Sequence, residues 1–264
     1  MSRSMAGKPT LFDLTGARAF IAGGYGGIGA GIARRLAEAG AAVAIAGRSG
    51  DKAATFATTL VGDGHVAHGF PMDAGNVADA QRAVDDAAGR LGGLDILVNC
   101  IGFNREQRIT DVTEAMFDEM YRGNLRAAMF LAQAVARHQI EGGRGGSQVH
   151  VLSVRAKLGM RGYGYSAYCA NKGALVMLVK QHAVELAQHA ITVNGIAPTV
   201  VQTPMASEWR ADPKRWEALL ARIPLGRVAD RDDVAGAAVF FCAPASRFVT
   251  GQVLYLDGGI TATQ

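Results

Sequence analysis

The stretch GYGYSAYCANKGAL, residues 162–175, sets Tyr168 and Lys172 four positions apart among small residues, where a helical pattern begins. Residues i and i+4 share one helix face, so the phenol and the ammonium can point into one pocket. A free tyrosine ionises at a pKa of about 10. A nearby ammonium stabilises the phenolate and lowers that value. A tyrosine so tuned can give a proton to a carbonyl oxygen, or take one from an alcohol, near neutral pH. The same spacing would also suit the start of any amphipathic helix. The pair therefore gains meaning only from what the rest of the chain brings to it.

A second cluster lies at AGGYGGIG, residues 22–29, where the first strand-like run turns into a helix-like one. Glycine lets backbone approach a pyrophosphate, and a helix N-terminus offers unpaired N–H groups and a favourable dipole. Two registers fit. G-x-G-x-x-G uses Gly24, Gly26 and Gly29, and G-x-x-x-G-x-G uses Gly23, Gly27 and Gly29. The position in a first β-α unit distinguishes the stretch from an ordinary glycine-rich turn. The next strand-like run ends in Ala46-Gly47-Arg48-Ser49, with one cation and no acid. An acid there would hold a ribose 2′-hydroxyl, whereas an arginine accommodates a 2′-phosphate. The expected cofactor is NADP(H), with NAD(H) as the alternative.

These residues need elements to hold them. Short apolar runs at 18–23, 41–47, 65–70, 94–100, 147–153, 191–198 and 251–259 alternate with helical patterns at 27–40, 51–60, 76–92, 113–140, 166–189 and 230–242. That alternation predicts an α/β fold: one doubly wound, Rossmann-like, parallel seven-stranded sheet with helices on both faces. The nearly all-apolar strands suit a sheet covered on both sides. Residues 1–10 read as a flexible tail and 11–264 as one domain, with a substrate-loop segment at about 199–222. Asn124 follows Gly123 inside the long pattern at 113–140, and both are poor helix-interior residues. A local defect there would free a backbone carbonyl to bind water.

Composition narrows the classes. The 264 residues are 49% hydrophobic and 19% charged, with a net charge of +4. Lys and Arg are scattered, with no dense basic run, which argues against nucleic acid as a partner. Cys100, Cys169 and Cys242 are few and far apart, without metal or redox spacing. No metal site is expected. The opening MSRSMAGKPTLFDLTG lacks the apolar core of a signal peptide. No stretch is long and apolar enough to span a membrane. The expected location is the cytoplasm.

Taken in order, the motifs resemble those of the short-chain dehydrogenase/reductase family, and the likeness covers residues 12–260. The second glycine register matches that family's cofactor loop. Asp73 resembles its adenine-contacting acid, and LVNCIG at 97–102 its motif after the fourth strand. Tyr168 and Lys172 match its catalytic pair, and Asn124 its helical catalytic residue. Pro198 to Thr203 resembles its nicotinamide-side loop, and Tyr255-Leu256-Asp257-Gly258-Gly259 its usual ending. Ala22, Cys100, Ile101 and Thr199 depart from the pattern without removing a group that performs chemistry. The family spacing for the catalytic serine lands on Arg155. Ser153, two residues earlier, is the better candidate, with Ser166 as the fallback. The resemblance implies a catalytic set of Asn124, Ser153, Tyr168 and Lys172. It implies a cofactor site of Gly23, Tyr25, Gly27, Ile28, Gly29, Arg48, Ser49, Asp73, Asn99, Gly102, Tyr168, Lys172, Val201 and Thr203.

On this resemblance hydride passes between the nicotinamide and a carbonyl carbon, and Lys172 also holds the nicotinamide ribose. The expected substrate is a polar ketone or secondary alcohol: a sugar, sugar acid or polyol. A 3-oxoacyl thioester reductase is the alternative, and a catalytically idle cofactor-binding regulator is the alternative of another class. Arg105, Arg108, Arg155, Lys157, Arg161 and Arg210 fall in loops expected to face the substrate, where cations would suit a carboxylate or phosphate. The resemblance also implies a homotetramer. Met129, Phe130 and Val135, with Leu175, Val176, Leu178 and Val179, would serve a helix–helix interface or the ordinary core.

Overall fold

In the computed structural model, which describes residues 10–203, 206 and 210–263, seven parallel strands lie in the order β3-β2-β1-β4-β5-β6-β7. They are β1 (Arg18–Ala22), β2 (Ala42–Gly47), β3 (Ala67–Pro71), β4 (Ile96–Asn99), β5 (Gly146–Val151), β6 (Ile191–Pro198) and β7 (Val253–Leu256). The expected tail at 1–10 lies outside the described residues except for Thr10, as do positions 204, 205 and 207–209 of the substrate-loop segment.

The helices between them are α1 (Gly27–Glu38), α2 (Gly50–Gly62), α3 (Val77–Leu91), α4 (Glu114–Tyr121), α5 (Ala127–Gly142), α6 (Ser166–Leu186), α7 (Pro213–Leu220) and α8 (Arg231–Cys242). Successive strand residues point to opposite faces. On β1, Ala19 and Ile21 join Ile32, Leu36, Leu60 and Phe241 on one side. Phe20 and Ala22 join Val84, Leu97, Leu131 and Val135 on the other. Burying each such large side chain contributes about 1.5–3 kcal/mol. Truncating fully buried Leu97 to Ala would cost about 2–5 kcal/mol.

The register brings the working ends of the strands level. Ala22 lies opposite Ala46 on one side and Asn99 on the other, and Asn99 lies opposite His150. The chain leaves the β3 edge and returns beside β1 as β4. That reversal opens a crevice at the carboxyl ends of β1 and β4, where ligands bind in such sheets.

The long helical pattern expected over 113–140 is not continuous. Arg122–Arg126 forms one π turn between α4 and α5. It packs against the loop after β4: an added Cβ at Gly123 would stand 2.4 Å from Cε1 of Phe103. The Asn124 side chain, fully buried, donates from Nδ2 to Met120 O at 2.8 Å. The interface candidates divide: Val135, Leu175 and Val179 are core, whereas Met129 is 40% exposed. No helix among the described residues is long and apolar enough to cross a membrane.

Candidate active site

The glycine turn takes the second register. Gly23 and Gly27 have φ of 75° and 50°, a region L side chains rarely adopt. A Cβ on Gly29 would stand 2.1 Å from Gly23 O. Gly26, by contrast, has open space around it and serves as the N-cap of α1 without a side-chain cap. Ser49, Asn76 and Thr113 close the starts of α2, α3 and α4 with their own oxygens. The first N–H groups of α1 are thus left for an anion from outside the chain, as a cofactor pyrophosphate requires.

Around this turn lie the other expected cofactor residues. Arg48 is exposed just beyond β2 and makes no hydrogen bond or ion pair among the described residues. Ser49 caps α2 and donates its N–H to the Tyr25 hydroxyl at 3.1 Å. The Tyr25 ring lies so close that a Cβ on Gly47 would stand 2.4 Å from it. Asp73, exposed past β3, accepts the Gly75 N–H at 2.9 Å. Asn99 is turned inward: its Oδ1 accepts the Ile101 N–H at 3.0 Å and its Nδ2 meets His150 Nδ1 at 3.3 Å. Its side chain fixes the turn after β4, so only its backbone can face a cofactor. Burial pushes His150 down to about 3, with the charges of His182 and Lys172 adding to it. The imidazole is neutral and accepts at Nδ1.

Gly102, with φ of 155°, leaves room that a side chain would fill. A Cβ there would stand 2.9 Å from Asn124 Oδ1 and 3.0 Å from Lys172 Nζ. The π turn thus brings Asn124 to the loop after β4, where it also donates to Phe103 O at 3.1 Å and accepts the Phe103 N–H at 3.3 Å. Lys172 is buried and donates to Val151 O at 3.1 Å, and its Nζ lies 5.7 Å from the centre of the Tyr168 ring. Burial lowers its pKa to about 8.

Ser153 and Tyr168 share a cavity of about 200 Å³ with Ile28, Val201 and Thr203, so the cavity opens beside the glycine turn. Ser153 accepts the Arg155 N–H at 3.2 Å, and its hydroxyl is near enough to the Tyr168 phenol to favour the ionised form. Ser166 begins α6, is exposed, and lies away from this wall. The expected lowering of the Tyr168 pKa requires correction. Loss of solvent pushes it up to about 12, and the Ser153 hydroxyl opposes that rise only in part. The ammonium of Lys172 is itself destabilised by burial and spends a donor on Val151 O, so the chain by itself holds Tyr168 as a neutral phenol.

The six loop cations separate as well. Arg105 pairs with Glu119 at 3.1 Å. Lys157 lies over Tyr255 at 5.4 Å and Arg210 over Trp216 at 5.2 Å. Arg108 and Arg161 are exposed. Arg155 alone of the six lines the cavity, joined by Arg222 and Tyr165. Sequence reasoning passed over both: they reach the cavity by tertiary folding of loops, which no spacing rule encodes.

Over residues 23–261 the chain matches a family model described as enoyl-(acyl carrier protein) reductase. It is 36% identical over 258 residues to the gluconate 5-dehydrogenase of Gluconobacter oxydans, covering 97% of this chain and 98% of that one. It is 37% identical over 250 residues to the L-xylulose reductase of Bos taurus, covering 95% and 98%. Among solved structures, a gluconate 5-dehydrogenase from Burkholderia cenocepacia in complex with NADP and tartrate matches with a TM-score of 0.92 and 37% identity, covering 96% and 98%. The chain belongs to the short-chain dehydrogenase/reductase family. It is an NAD(P)-dependent oxidoreductase acting on CH–OH groups.

Proposed function

We propose that this protein interconverts a polar ketone and a secondary alcohol, on a sugar, sugar acid or polyol, with NADP(H) preferred over NAD(H). The observation that carries the reading is the shared cavity of Ser153 and Tyr168 beside the glycine turn, with Lys172 and Asn124 behind it. The similar proteins named above include enzymes of gluconate and L-xylulose, and one of them holds NADP and tartrate. Arg48, with no acid beside it at the end of β2, supports the 2′-phosphate.

A bound nicotinamide supplies or accepts the hydride. The chain's own residues handle the proton and the oxygen. Ser153 accepts the Arg155 N–H, which leaves its hydroxyl proton to donate to the substrate oxygen. Tyr168, a neutral phenol, gives its proton to a carbonyl oxygen in reduction and takes it back in oxidation. Lys172, whose pKa of about 8 is near neutrality, holds the proton that restores the phenol. Asn124 ties the loop after β4 to the π turn, and the missing side chain of Gly102 in that loop leaves room for Lys172 Nζ. Exposed Met129 on α5, Met177 and Val184 on α6, and Leu254 on β7 provide apolar surface for the homotetramer; a monomeric mass by light scattering would remove that part.

The test is a panel of ketoses, keto-acids, polyols, aldonates and 3-oxoacyl thioesters with each cofactor, run on the protein and on Tyr168→Phe. Turnover of the polar carbohydrates is expected, and Tyr168→Phe should lower it by about 10²–10⁴-fold with cofactor affinity unchanged. Turnover confined to thioesters would overturn the substrate reading. A protein that binds cofactor and turns over nothing would be the idle regulator.

A further inference from the structure

Two cations enter the cavity from separate parts of the chain. Arg155 comes from the turn after β5, two residues beyond Ser153, and Arg222 from the loop after α7. Arg155 is 9% exposed. Its Nη1 is pinned by Gly159 O at 2.7 Å and Leu158 O at 3.3 Å. Its Nε and Nη2 have no partner among the described residues, and neither arginine has a carboxylate. No Asp or Glu among the described residues lines the cavity. Two arginines, one buried and one exposed, thus line one small space that no carboxylate of the described residues shares. Burial lowers the Arg155 pKa, and the charge of Arg222 lowers it further, so each feels the other.

Like charges left unpaired in a partly dry site raise the free energy of the empty cavity, and an anion between them relieves it. A planar guanidinium held in place by carbonyls is preorganised for a carboxylate. Resting on the function proposed above, we propose that Arg155 and Arg222 form a carboxylate subsite. It would anchor the acid end of the substrate while its hydroxyl or keto carbon lies at Ser153 and Tyr168. The physiological substrate is then a hydroxy or keto acid of the sugar series, and neutral polyols are poor substitutes. Both arginines act on binding and position; neither touches the proton being transferred.

The test uses the full chain loaded with NADPH and follows binding of D-gluconate and D-glucitol by calorimetry. The two probes share their carbon chain, and only the first carries a carboxylate. Gluconate should bind at least about tenfold more tightly, since hydrogen bonds to charged groups are the stronger ones. Arg155→Gln and Arg222→Gln should each weaken gluconate about 10- to 100-fold, leaving glucitol and NADPH unchanged, and in turnover the loss should fall on KM. Arg155→Lys, which keeps the charge without the fork, should recover part of the affinity. Arg222 is exposed, so its variant keeps the test open if Arg155→Gln does not fold. Equal affinities for the two probes, or variants that weaken both alike, would overturn the subsite. Neutral sugars turned over as well as acids would overturn it too, and leave the broader function standing. Turnover of thioesters alone would remove that function, while the gluconate binding data still judge the arginines.

Discussion

Replacing Lys172 by Met removes a buried charge while nearly keeping its shape. In the folded chain burial takes the Lys172 pKa from 10.5 to about 8. At about 1.36 kcal/mol per pKa unit, holding the ammonium in place costs about 3 kcal/mol. The folded value lies below the unfolded one, so the unfolded chain binds the proton more tightly. The stability linked to the neutral amine is complete above the unfolded value and is lost as pH falls toward about 8. Near pH 7 the protein therefore carries almost the whole cost, and by pH 10 it has recovered about 2.5 kcal/mol. Met carries no such charge, but it leaves Val151 O without the 3.1 Å donor, which costs about 1–3 kcal/mol. At pH 7 the two effects nearly offset, and Lys172→Met should match the parent or exceed it by up to about 2 kcal/mol. At pH 10 it should be the less stable of the two. Urea unfolding of both chains at pH 7 and pH 10, at one protein concentration, measures the difference; groups common to both chains cancel. A difference that moves by less than about 0.5 kcal/mol between those pH values would refute the burial argument. Turnover should be lost in the variant at both, so any gain in stability at neutral pH would come with loss of function.

Arg48→Ala should weaken NADPH about 10- to 100-fold and leave NADH unchanged, because only the 2′-phosphate would meet that guanidinium. Fluorescence titration with both cofactors reads this, and equal losses, or tighter NADH binding in the parent, would refute it. Gly123→Ala would press a Cβ against the Phe103 ring at 2.4 Å, in a loop tied down by Asn124 at 3.1 and 3.3 Å. Overpacking of this kind costs about 1–3 kcal/mol, which lowers Tm by about 2–10 °C for a chain of this size. A thermal melt within one degree of the parent, together with unchanged turnover, would show that the π turn does not depend on the close approach.

What could be read from the sequence, and what could not, divides along the range of the interactions. The eight-residue run Ile191–Pro198 is a strand as expected, because its signal is its own apolar pattern between breakers. Tyr168 and Lys172 were legible as a pair because one helix carries both. The register of the glycine turn was not, since Gly23, Gly24, Gly26, Gly27 and Gly29 satisfy two patterns at once. Positive φ at Gly23 and Gly27, and the open space around Gly26, decide it. The weak point at Gly123 and Asn124 was visible as poor helix propensity, but the form of the defect depends on a Phe103 ring from another loop. The ionisation of Tyr168 was misjudged because a neighbouring ammonium shows in the sequence, whereas burial does not.

The same division separates chemistry from recognition. The residues proposed to move the proton lie on β5 and α6 or at their ends, on elements whose patterns are strong. The other polar residues that line the cavity come from loops: Arg155 after β5, Tyr165 before α6, Arg222 after α7. A rigid frame carrying variable loops lets one reaction serve many substrates. The reaction class therefore follows from spacing along single elements. On the subsite proposed above, the choice of substrate follows from which loop cations meet without a carboxylate between them, and that is a property of the folded cavity.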